Sequence, residues 1–152
     1  MGGNANNRRI VVGVDGSESS IAALRRASRI AAALGASVEA VTVWHTPLSA
    51  GEYPLAFDVN PEEDARSILN TALHAAFGAQ HPVWLHAFVV EGNTPKALID
   101  ESEGAEMLVL GSRGHGGFVG LLLGSVSTAC AEHARCPVLI MHTADAAVTA
   151  ER

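Results

Sequence analysis

Lysine is nearly missing from this chain: Lys96 is the only one in 152 residues, and acidic side chains outnumber basic ones 16 to 10. A net charge of −6 at pH 7 leaves no basic face for a phosphate backbone, so no nucleic-acid partner is expected. A single nucleotide is a different case, because backbone amides hold phosphates without net positive charge. Cysteine is scarce as well. Cys130 and Cys136 are too few for a disulfide framework and lack C-x-x-C spacing. They read as small buried apolar side chains, with a redox pair as the alternative. No apolar run approaches the roughly 20 residues of a membrane span, and residues 1–9 lack the apolar core of a secretory signal. Asn6 stands where a myristoylation signal needs Ser or Thr. The expectation is a cytoplasmic protein with no membrane partner.

The composition that is present, 48% hydrophobic and 17% charged, belongs to a folded domain with a real core. We expect one domain over 10–143, between a flexible leader at 1–9 and a flexible tail at 144–152. Ile10–Val14 is a β-branched run that reads as a strand buried on both faces. Ser17 is placed to cap a helix carrying Ile21, Leu24, Ala27, Ala31 and Leu34 at helical spacing, closed by Gly35. Further strands are expected at Val38–Val43, Val83–Val90, Met107–Leu110 and Pro137–Met141. Pro61 opens a second helix whose inner side holds Ala65, Ile68, Leu69, Ala72, Leu73 and Ala76. Thr94-Pro95 reads as a cap and first-turn proline for a third helix ending near Glu103. A fourth should run from Gly124-Ser125 to about Ala134. The stretch from Trp44 to Asn60 is long for a plain connection, and a lid is one reading of it. Five strands alternating with four helices imply an open parallel sheet covered on both faces.

One segment concentrates the chemistry. Between the fourth strand and the fourth helix, Gly111 to Ser127 contains six glycines, two of them followed directly by serine. Glycine admits positive φ or lets another group approach where a Cβ would block it. The segment ends at a helix N-terminus, which attracts anions through its amides and dipole. A Walker loop would need Gly-Lys-Ser/Thr, and no lysine is here; the first strand is followed by Val-Asp-Gly-Ser rather than G-x-G-x-x-G. The seven histidines lack metal-site spacing, so no metal site built from protein side chains is expected. No G-x-S-x-G elbow and no group to orient a nucleophile stand out, which favours binding over turnover.

Gly111, Gly114, Gly124 and Ser125 fall on the pattern G-x2-G-x9-G-(S/T). With the opening Val-Gly-Val-Asp-Gly-Ser, Gly92-x-x-Pro95 and the closing Cys-Pro-Val-Leu-Ile, the chain resembles the ATP-binding subgroup of the universal stress protein family from Ile10 to Met141. The resemblance implies a Rossmann-like sheet of order 3-2-1-4-5 (the adenine nucleotide alpha hydrolase-like fold), with a crevice between strands one and four. It further implies that Gly13, Val14 and Asp15 border adenine and ribose, and that Val43 meets the adenine through its backbone. Leu110 and Gly111 would line the ribose side, while Gly114, Gly124, Ser125, Val126 and Ser127 hold phosphates. Arg113 and His115 are added from charge and position; their alternative is a solvated loop face. The implied ligand is ATP, with Mg2+ or Mn2+ held by its phosphates. A regulatory stress-response module is the first reading; a slow ATP hydrolase and a cyclic-AMP-binding protein are the alternatives. The apolar edge at 138–141 suggests a homodimer, as the family commonly forms.

Overall fold

The computed structural model describes residues 8–46, 60–113 and 123–143. Within them the chain runs β1 (Arg9–Gly13), α1 (Glu18–Leu34), β2 (Ser37–Trp44), α2 (Pro61–Phe77), β3 (Leu85–Glu91), α3 (Thr94–Glu101), β4 (Met107–Gly111), α4 (Ser125–His133) and β5 (Val138–Met141). All strand pairs are parallel and the sheet order is β3-β2-β1-β4-β5.

The continuous apolar run of β1 follows from its central place. Ile10 and Val12 pack into the layer beneath α1 and α2, while Val11 packs into the layer beneath α3 and α4. A strand covered on both faces has no polar positions to alternate with. Edge position has the opposite effect: every residue of β5 stays half-exposed.

Helix boundaries follow local capping. The Ser17 hydroxyl accepts from the Ser20 amide, and Gly35, at φ 66°, closes α1 in the left-handed conformation. Asn60 caps α2 ahead of Pro61, and three acidic residues in the first turn suit the helix dipole. Arg66 ion-pairs with Glu62 one turn back at 2.9 Å.

Of the expected boundaries that move, three have a visible cause. The cap of α3 is Asn93, not Thr94, because its side-chain oxygen accepts from the Lys96 amide at 3.2 Å. The same helix stops at Glu101 rather than Glu103. There Arg9 donates to the carbonyls of Glu101 (2.7 Å) and Glu103 (2.6 Å), ending the turn as a C-terminal cation does. Arg9, assigned to the leader from sequence, is therefore the first residue of β1, and it also pairs with Glu39 at 3.0 Å. Third, β3 begins at Leu85 rather than Val83, since Leu85 donates back to the Pro82 carbonyl in a turn that leaves Val83 exposed.

Cys130 is fully buried in the α3/α4 layer, where burial and then neighbouring Cys136 push its thiol up to about 11. It is a neutral core side chain at physiological pH; Cys136 is half-buried. Among the described residues no helix is long and apolar enough to cross a membrane.

Candidate functional site

β1 and β4 lie side by side, and their chains leave the sheet in opposite directions. The chain after β1 enters α1 on one face; the chain after β4 leads to α4 on the other. This reversal opens a crevice at the carboxyl ends of the two strands, where ligands bind in open α/β sheets.

One lip is Val14-Asp15. The Val14 amide donates to the Val41 carbonyl and its own carbonyl accepts the buried Thr42 hydroxyl, both at 2.8 Å. Asp15 is exposed, and its Oδ1 accepts from the Ser17 amide at 2.9 Å, forming a short turn through Gly16, whose φ is 85°. One of its carboxylate oxygens is thus engaged in shaping the entrance to α1.

The other lip follows β4. Leu110 is buried in the α3/α4 layer, and half-buried Val43 packs against that same layer from β2. Gly111 shows why glycine stands there. A Cβ would come within 2.8 Å of both the Ser19 carbonyl carbon and the Ser20 amide nitrogen, and would collide with the Ser19 hydroxyl. The sequence reading left room at this glycine for a ligand or a positive φ; the room is filled instead by the first turn of α1. At Gly13 the obstacles are side-chain ends, Leu110 Cδ2 at 2.6 Å and Leu98 Cδ1 at 3.0 Å.

Beyond Gly111 the two ends of the glycine-rich segment are drawn together. The Gly124 amide donates to the Ser112 carbonyl at 2.7 Å, and the Ser127 hydroxyl donates to the Gly111 carbonyl at 2.6 Å. Ser127 therefore gives its proton to the protein, leaving its oxygen lone pairs and its amide for any ligand. Arg113 is exposed and its carbonyl accepts the Ser19 hydroxyl at 2.9 Å. Gly114 and His115 lie outside the described residues, as does most of the 44–60 stretch.

α4 starts differently from the other helices. Ser17, Asn60 and Asn93 each cap their helix with a side chain, whereas Gly124 has none to offer and no side chain caps α4. Its first residues, exposed Ser125 and half-buried Val126, thus carry amides that no capping side chain among the described residues meets. Such a terminus is suited to an anion. The structure brings Gly13, Val14, Asp15, Leu110, Gly111, Arg113, Gly124, Ser125, Val126 and Ser127 to the carboxyl end of the β1–β4 pair, with Val43 at the end of the adjoining β2.

Sequence reasoning passed over Ser19 and Thr42. Their signal was a hydroxyl at a position where the periodicity calls for an apolar side chain; both are at most 5% exposed, and each is spent on a crevice carbonyl.

Comparison with known proteins agrees with this architecture. Residues 6–142 match the model of the universal stress protein family. A universal stress protein of Mycolicibacterium smegmatis is 33% identical over 138 residues, covering 87% of this chain and 45% of that protein. The chain spans about half the length of the curated relatives it matches. A universal stress protein crystallised in complex with cAMP superposes with a TM-score of 0.68 at 29% identity, covering 91% of this chain and 99% of its own. An Archaeoglobus fulgidus universal stress protein in complex with dAMP shares the fold, with a TM-score of 0.60 at 23% identity over 90% of this chain and 98% of that one. By its sequence and its sheet, this chain belongs to the universal stress protein family.

Proposed function

We propose that this domain binds ATP in the β1–β4 crevice and acts as a regulatory nucleotide-binding module of the stress response, in the cytoplasm. The observation that carries the reading is the N-terminus of α4 at the crevice, which no side chain among the described residues caps. The spacing of Gly111, Gly114, Gly124 and Ser125 supports it. In this reading the amides of Ser125, Val126 and Ser127 meet the phosphates, Gly124 lets them approach where a Cβ would intrude, and Gly114, Arg113 and His115 add to them. Gly13, Val14, Asp15, Leu110, Gly111 and the Val43 backbone surround adenine and ribose. Mg2+ or Mn2+ rides on the phosphates. In this reading the function is binding rather than turnover.

The solved relative in complex with cAMP supports a second reading, that cyclic AMP is the ligand. Mass spectrometry of nucleotide released from the purified protein separates the two. ATP in near-stoichiometric amount is the expected result. Cyclic AMP would favour the second reading, and ADP alone would indicate turnover.

The same proposal includes a homodimer through β5. Among the described residues its outer edge has no partner strand, and half-exposed Val138, Leu139, Ile140 and Met141 form an apolar margin of the kind that recruits another strand. Sedimentation should give twice the 15.7 kDa chain mass at micromolar concentration, and a monomer there would contradict the dimer.

A further inference from the structure

Among the described residues, three hydroxyls at the crevice donate to a backbone carbonyl outside their own helix or strand: Thr42 to Val14 at 2.8 Å, Ser127 to Gly111 at 2.6 Å and Ser19 to Arg113 at 2.9 Å. All three residues are at most 5% exposed. Ser19 differs from the other two in what it connects. It sits in the first turn of α1, on the β1 side, while Arg113 opens the glycine-rich segment on the β4 side, 94 residues further along the chain. The bond requires the first turn of α1 to lie close to the end of β4, where a Cβ at Gly111 would come within 2.8 Å of the Ser19 and Ser20 backbone. A buried hydroxyl at this position contributes nothing to the apolar layer around it. A well-placed bond to a loop carbonyl is what it supplies.

We propose that Ser19 is a positioning residue of the nucleotide site, holding Arg113 against α1, and with it the Ser112 carbonyl that accepts the Gly124 amide, so that the phosphates meet a start of α4 already fixed in place. This rests on the reading that the crevice binds ATP. Fixing a loop before the ligand arrives removes part of the ordering cost from binding, and that cost falls on the phosphate end alone. Ser20 is the natural comparison. It lies in the same turn, is 2% exposed, and donates within its own helix start to the Ser17 carbonyl at 2.9 Å.

Calorimetric titration of Ser19→Ala and Ser20→Ala with ATP and with adenosine tests the assignment, alongside thermal melts. Ser19→Ala should weaken ATP about tenfold while changing adenosine less than about twofold. Ser20→Ala should lower the melting temperature comparably and leave ATP affinity unchanged. Equal losses for ATP and adenosine, an equal ATP loss in Ser20→Ala, or undiminished ATP affinity in Ser19→Ala would each overturn the assignment. Wild-type protein that binds neither ligand would defeat the nucleotide reading itself. In that case amide exchange over residues 111–113 still reports the tie: it should quicken in Ser19→Ala alone, and unchanged exchange would overturn the tie separately.

Discussion

Gly111→Ala is expected to be the most destabilising single-methyl change at the crevice, lowering stability by about 3 kcal/mol, the upper end of what overpacking costs. The new Cβ would lie 2.8 Å from two backbone atoms of α1, the Ser19 carbonyl carbon and the Ser20 amide nitrogen. Backbone held in a capped helix start cannot step aside without loosening the cap at Ser17. For a domain of this size the melting temperature should fall by roughly 6–12 °C. Gly13→Ala supplies the internal control, because its closest obstacles are the ends of Leu110 and Leu98, which can rotate. Thermal denaturation should rank Gly111→Ala well below Gly13→Ala. The reverse order would mean that the contact between α1 and β4 is softer than the packing indicates.

Ser125→Pro should separate binding from folding. Ser125 is the first residue of α4 and is exposed, and Gly124 before it is extended at φ −74°, ψ 171°. Proline is accommodated at a first helical position, and an extended preceding residue is the conformation it requires. The substitution therefore keeps the helix while deleting one amide hydrogen and one hydroxyl from the phosphate end. The amide's hydrogen bond to a charged group contributes about 1.5–3 kcal/mol, so its loss should lower ATP affinity by one to two orders of magnitude. The melting temperature of the ligand-free protein should hardly move. Ser125→Ala, which keeps the amide, should lose far less. Equal losses in the two variants would place the phosphate contact on the hydroxyl rather than on the backbone.

What the sequence revealed in advance was mostly local. Ser17 brackets α1 with its hydroxyl and Gly35 with its freedom to take a left-handed φ, because a cap and a closing residue act within one turn. The run Ile10–Val12 announced a doubly covered strand for a similar reason, since every residue in it is apolar. The order of the strands came from the family resemblance; alternation of strands and helices leaves many orders open. Two errors at α3 have different causes. Asn93 and Thr94 are both competent caps, and only the reach of Asn93 to the Lys96 amide decides between them. The helix end was set by Arg9, a residue 92 positions away from the Glu101 carbonyl it binds. Gly111 was recognised as part of the motif, but its steric reason was hidden for the same long-range reason. Ser19 and Thr42 were missed because a lone hydroxyl in an apolar pattern reads as tolerated noise until its acceptor is seen. The account of the site thus joins a motif visible in the sequence to a packing contact visible only in the fold.

The central claim is that the crevice between β1 and β4 holds ATP by its phosphates at the start of α4. Calorimetric titration of nucleotide-free protein with ATP, with Ser125→Pro titrated beside it, tests this most directly. The account predicts one ATP per chain for the wild type and a loss of at least about tenfold in affinity for the variant, at unchanged melting temperature. No heat of binding in the wild type, or equal affinity in the two proteins, would contradict it.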